Sequence, residues 1–283
     1  MKKHLLVLLL IVGFTAAAQD KQGYQLFTAN GKKTTYKALV KANVGADVVL
    51  FGELHDNSIV HWLEYELAAD VIKQKPVILG AEMIEADNQQ VLNRYLAGEI
   101  NQKQLDSLAR LWQNHKTDYK TLVDFAKENK LPFVAANVPR RYASQVYKKG
   151  LESLEALPAD EKAWMAPLPI AYDASLPGYK AMLEMGGGHG GDNLPKAQAI
   201  KDATMAWFIS QNIKPGSTFI HYNGSYHSEN YEGISWYLNQ YKPGLKIVTI
   251  AAVSQKDLDK LETEHLKKAD FIIVVDDNMT KTY

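Results

Sequence analysis

The chain of 283 residues contains no cysteine. That excludes disulfides, thiolate metal sites and lipid attachment at a lipobox cysteine. Net charge is also missing. The 32 basic residues balance 32 acidic ones, which removes the electrostatic footprint of a nucleic-acid binder. Internal repeats, low-complexity tracts and clean linkers are absent as well. Long apolar runs are lacking with one exception, Leu5 to Phe14, preceded by Lys2 and Lys3 and followed by Ala16-Ala17-Ala18. The run is well short of the ~20 residues a membrane span needs. It has the three-part pattern of a secretory signal peptide. Residues 1–18 are therefore expected to be removed, leaving 19–283 as a single α/β domain in a periplasmic or extracellular compartment.

What remains is patterned. Runs of Val, Ile and Leu alternate with helical stretches. Strands are expected at 47–52, 76–83, 131–137, 217–222, 245–252 and 271–275, and a hairpin is signalled by Asn30-Gly31. Helices are expected at 57–74, in three segments over 87–129, after Pro139 up to Gly150, at 195–211 with Pro195 in its first position, near 230–240, and briefly at 255–261. Strands this uniformly apolar belong to a mostly parallel central sheet covered by helices on both faces. The 87–129 segment reads as a helical insertion, and 151–194 as a long irregular loop.

The polar residues fall at strand ends. "VVLFGELHDN" carries Glu53 and His55, and "PVILGAEMIEA" carries Glu82 and Glu85. "LPFVAANVPRR" ends in Asn137, with Arg140 and Arg141 following, and "STFIHYNGSYHS" ends in Tyr222 and Asn223 before Tyr226 and His227. In a parallel sheet the carboxyl ends of all strands share one edge, where ligands bind. Two Gly-x-x-His elements, Gly52 to His55 and Gly224 to His227, thus meet there. The donors suit either a divalent metal centre or a pocket whose arginines grip an acidic ligand. Taken singly, Glu53 and His55 also read as a solvated turn. Glu82 within an apolar strand demands a partner. His61 is expected on a helix surface with Trp62 in the core, His115 in a loop, His265 at a solvated helix end, and Arg141 as an ordinary first-turn charge.

These segments, together with "QAIKDATMAWFI" and "IVTI", resemble the ChaN-like haem-binding uptake family of the Tiki/TraB/erythromycin-esterase-like superfamily, over roughly residues 45–275. The resemblance implies an α/β fold, haem as ligand, an exported protein in iron acquisition, a homodimer with stacked haems, and an outer-membrane uptake system as partner. It also implies a tyrosine as axial haem ligand, for which Tyr142, Tyr172, Tyr179, Tyr222 and Tyr226 are candidates. His189 in "EMGGGHGG" is a further one. Asn137, Arg140 and Asn223 are the remaining ligand-binding expectations. Unlike lipoprotein members, this chain has no lipobox cysteine. Hydrolytic relatives imply an alternative in which His55, His227 and Glu82 hold a divalent transition metal and Glu53 is left as general base.

Overall fold

In a computed structural model, seven strands form one sheet in the order β1-β7-β6-β2-β5-β3-β4. The structure describes residues 21–185 and 191–283; the expected signal peptide and His189 lie outside the described residues. The strands are β1 (Tyr24–Thr28), β2 (Val48–Glu53), β3 (Val77–Glu85), β4 (Phe133–Asn137), β5 (Thr218–Gly224), β6 (Ile247–Gln255) and β7 (Phe271–Asp276). All neighbouring pairs are parallel except β1 with β7. The antiparallel edge strand belongs to the sequence's hairpin signal. Gly31 adopts φ +76° at the turn, but the returning arm contributes only a single bridge, Phe27 to Lys33.

Every residue of β2, β3, β4 and β5 is buried, which explains why these runs show no apolar–polar alternation. One face packs against α1 (Tyr36–Val44), α2 (Ser58–Val71), α3 (Gln89–Leu96), α4 (Gln102–Leu108) and α5 (Lys120–Glu128). The other is covered by α6 (Arg140–Lys149), then, beyond the short helices α7 (Ala159–Lys162) and α8 (Pro177–Met185), by α9 (Asn193–Asn212) and α10 (Ile234–Tyr241). Phe51, Leu79 and Tyr222 point to the first layer, and Val48, Leu50, Ile78 and Phe219 to the second.

Local chemistry accounts for the boundaries. Asn57 caps α2 by accepting from the Ile59 and Val60 amides, each at 3.1 Å. Gly150 stops α6 with φ +84°. Pro139 takes the position before α6, and Pro195 is the third residue of α9, still within the turn whose amides need no helical acceptor. The expected helix at 255–261 is not formed. β6 runs on to Gln255, whose side chain donates to the Lys260 carbonyl and accepts from the Glu262 amide, so the following backbone is satisfied as a loop.

Helix α2 reverses one pair of expectations. His61 is buried at 7% exposure while Trp62 stands 50% exposed against Tyr24. The inward stripe runs through Val60, Leu63, Glu64, Leu67 and Val71, and Trp62 lies off it.

Candidate functional site

The direction of chain progression changes between β2 and β5. From β2 the chain moves outward through β3 to β4, and from β5 it moves the other way through β6 to β7. A crevice opens at the carboxyl ends on either side of such a reversal. Here it is a cavity of about 810 Å³ lined by, among others, Glu53, His55, Glu82, Asn137, Arg140 and His227. Residues distant in sequence converge there.

The two Gly-x-x-His elements interlock. In the β2–β5 register Gly52 stands opposite Asn223, and Glu53 opposite Gly224. A Cβ on Gly224 would lie 2.8 Å from His55 Nε2, and one on Gly52 would lie 2.9 Å from the Ser225 Cα. Each glycine therefore makes room for the other's motif.

His55 Nδ1 lies 2.5 Å from Glu53 Oε1, an oxygen that also accepts from the Tyr119 hydroxyl at 2.8 Å. The His55 ring meets the Trp112 ring edge-on at 5.0 Å and is half-buried. Burial pushes the His55 imidazole down in pKa, but the bond to Glu53 and its charge outweigh this and raise it.

His227 is held more tightly. Its Nε2 donates to Glu82 Oε1 at 3.0 Å and its Nδ1 to Asp202 Oδ1 at 2.5 Å. Glu82 Oε2 accepts from the Gly224 amide at 2.9 Å, and Asp202 Oδ2 from the Tyr179 hydroxyl at 2.8 Å. Burial disfavours charge on this imidazole, yet Glu82 and Asp202 together push its pKa up to about 9. The Glu82 carboxyl, against the same burial, is brought down to about 2 by His227. The result is a buried carboxylate–imidazolium–carboxylate row.

Among the expected ligand residues, Asn137, Arg140 and Tyr226 line the cleft. The Asn137 Oδ1 is buried without a partner, and Tyr226 donates to the Gly178 carbonyl at 2.6 Å. Three others lie elsewhere. Tyr222 is fully buried on the opposite face of β5, reaching the Glu64 carbonyl. Asn223 is consumed by the turn, donating to the Gly224 carbonyl and to Ser228 Oγ. Tyr172 stacks on Tyr179 at 5.8 Å, away from the lining. Arg141 pairs with Asp87 over the rings of Tyr142 and Trp164. Among the described residues, His55, His227 and Glu82 do not close into a metal-sized cluster, and both His227 nitrogens are engaged by carboxylates.

Sequence reading missed Gln198, Lys201 and Asp202 of α9, and His265 and Lys268. The usable signal was in "KDATMAWFI", where Asp202 interrupts a helix otherwise buried in Ala, Met and Ile. His265 gave none. It is buried at 7%, with neither ring nitrogen hydrogen-bonded and only a 3.7 Å contact from Nε2 to the exposed Glu264.

The model of the haem-binding uptake family, Tiki superfamily, ChaN, matches residues 39–238, more than half of the chain. The chain belongs to that family. A structure of cofacial heme binding to ChaN of Campylobacter jejuni superposes with TM-score 0.67 at 18% identity, over 91% of this chain and 98% of that one. A Bacillus cereus protein superposes at 0.51 with 14% identity, covering 90% and 95% of the two chains. The type III effector HopBA1 does so at 0.50 with 13% identity, covering 85% and 92%. These likenesses establish the fold. No curated protein matches by sequence.

In this ChaN-family chain the buried row makes stability depend on pH. His227 titrates near 9 instead of its ordinary 6.5, so its contribution is complete below about 6.5 and is lost as pH rises through 9. Glu82 titrates near 2 instead of 4.5, so its contribution is complete above about 4.5 and is lost as pH falls through 2. The advantage of wild type over His227→Gln in urea unfolding is expected to plateau between those ordinary values and to shrink on the alkaline side. An advantage that grows from neutral to alkaline pH contradicts the assignment.

Proposed function

We propose that the protein is an exported haem-binding component of an iron-uptake route, and that haem is held in the cleft at the carboxyl edge of the sheet. The observation that carries this reading is the cleft's composition. Its volume of about 810 Å³ lies within the ordinary range for ligand and cofactor sites. Trp112, Val138, Met182 and Val253 offer apolar contact to a macrocycle, and Arg140, Lys201 and Lys268 offer cations to its propionates. Two side chains of axial-ligand chemistry line the same space. Tyr226 brings a hard oxygen donor suited to ferric iron, and His265 an imidazole without a hydrogen bond whose pKa burial lowers. The cofacial haem binding of the Campylobacter jejuni ChaN supports a haem-mediated homodimer here as well. The absent lipobox cysteine favours a soluble periplasmic or extracellular protein, delivering haem to or receiving it from an outer-membrane system.

Hemin titration of the purified protein tests this. A Soret band saturating near one haem per chain is expected. Tyr226→Phe should weaken binding at least about 10-fold and alter the band, and Arg140→Ala should weaken it without altering the band. A folded protein with no spectral change at micromolar hemin ends the proposal. Unchanged binding in Tyr226→Phe, with loss in His265→Ala, moves the axial role to the histidine.

One observation favours hydrolysis as a second reading. The Glu53–His55 and Glu82–His227 pairs face one cleft with opposite degrees of constraint, the former half-open and the latter locked. In that chemistry His55 is the group placed to exchange a proton with substrate, and the His227 row is the fixed charge beside it.

A further inference from the structure

Behind the cleft a second polar cluster occupies what would otherwise be apolar core. Glu53 uses one carboxylate oxygen for His55 and Tyr119. The other, Oε2, faces α2 and lies 3.3 Å from His61 Nε2. Glu64, one helical turn beyond His61 and on the same face, has no exposed surface at all. Ligand atoms of Glu53, His61 and Glu64 lie within 4.8 Å of one another. None of Glu53 Oε2, the two Glu64 oxygens and the two His61 ring nitrogens has a hydrogen-bond partner. Among the described residues no lysine or arginine pairs with Glu53, Glu64 or the neighbouring Asp118; their ion-pair contacts are to His55 and His61 alone.

Two carboxyl groups buried together with unused oxygens, and with no basic side chain paired to them among the described residues except the two imidazoles, are stabilised either by a shared proton or by a bound cation. We propose that Glu53, His61 and Glu64 bind one divalent first-row transition-metal cation. One imidazole and two carboxylates are a donor set for zinc, manganese or ferrous iron, whereas calcium and magnesium take oxygen ligands. Three protein ligands also match sites that keep an exchangeable position.

The surroundings complete the arrangement. Asp118 Oδ1 lies 3.5 Å from His61 Nδ1, on the far side of the ring from Glu53. The contact is not a hydrogen bond in this structure, but it puts a carboxylate on the side of the ring where an outer partner of a metal-bound imidazole sits, leaving Nε2 toward Glu53. Tyr119 donates to Glu53 Oε1 and orients the carboxylate. Glu53 then joins the metal to His55, so the ion sets the position of the cleft imidazole from behind. This site is separate from the His55, His227 and Glu82 set suggested by the sequence, and it does not depend on haem.

The full chain, expressed and purified without hemin, is analysed for manganese, iron, cobalt, nickel, copper and zinc. About one metal per chain is expected. Chelator-stripped protein is then titrated with Co²⁺. Visible d–d absorption should develop to one equivalent, with thermal unfolding raised by roughly 5–10 °C at saturating metal. Glu64→Gln should weaken Co²⁺ binding at least about 10-fold, and His227→Gln should leave the cobalt spectrum intact. Folded wild type without metal, and without any cobalt spectrum or thermal shift, overturns the proposal and indicates two carboxyl groups sharing a proton. A spectrum lost in His227→Gln but kept in Glu64→Gln also overturns it, by placing the metal in the cleft. The wild-type titration decides even if a variant fails to fold, and the Soret readout keeps the haem question separate.

Discussion

Replacing His227 with alanine is expected to lower the unfolding free energy by about 3–5 kcal/mol at neutral pH, the usual consequence of removing one partner from a buried ion pair. The side chain is 7% exposed and stands between Glu82 and Asp202, which are 4% and 1% exposed. Without the imidazolium, these two carboxylates share a pocket that no other cation enters by direct ion pairing among the described residues. Asp202 is the group that gives way. Burial already raises its pKa, so in the variant it takes up a proton and part of the loss is recovered in acid. Urea unfolding followed by circular dichroism at neutral and mildly acidic pH measures both effects. A loss below about 1 kcal/mol, the scale of an exposed pair, would show that the row is solvated and not buried.

The second large effect is expected at Gly52. A Cβ there would lie 2.7 Å from the Ile250 carbonyl oxygen and 2.9 Å from the Ser225 Cα. Both obstacles are backbone, so no side chain can rotate away to relieve the overlap. Either β6 separates from β2 or the turn carrying His227 is displaced. Gly52→Ala should therefore cost about 3 kcal/mol, at the upper end of the ordinary overpacking range, and should also disturb the His227 ring environment seen by NMR. The contrast is Gly224→Ala, whose Cβ meets the His55 ring at 2.8 Å. That ring is 32% exposed and can turn toward the open cleft at the cost of its contact with Glu53, so this substitution should spare the fold and dislodge His55. Equal stability losses in the two variants would refute the distinction between backbone and side-chain obstruction.

The strands and their common edge were legible because buried parallel strands are continuous apolar runs, and polar residues at their ends stand out. Glu53, His55, Glu82, Asn137, Arg140 and His227 all reach the cleft for that reason. Side-chain direction was not legible in the same strands. In "FIHYNG" both faces are buried, so nothing in the pattern says that Tyr222 turns toward α2 while His221 and Asn223 turn the other way. Helix α2 misled through the size of Trp62. A large aromatic was read as core, but the inward stripe is set by Leu63, Leu67 and Val71, and it carries His61 and Glu64 inward with it. His265 was hidden because its burial depends on tertiary packing of a loop, a property that local sequence does not encode.

The position of β5 has a consequence for the order of events in folding. It lies between β2 and β3, so Val48 must find Phe219, and Val77 must find Thr218, before the middle of the sheet exists. The amino-terminal half alone brings β3 and β4 together but leaves a one-strand gap beside β2. Such remote pairing makes closure slow relative to helix formation. A chain emerging from its amino terminus is thus expected to carry Glu82 as a solvated charge until late, because its partners Gly224 and His227 come from the carboxyl-terminal part. Its desolvation then coincides with the arrival of His227, so no stage of assembly has to bury the carboxylate of Glu82 without its counter-charge.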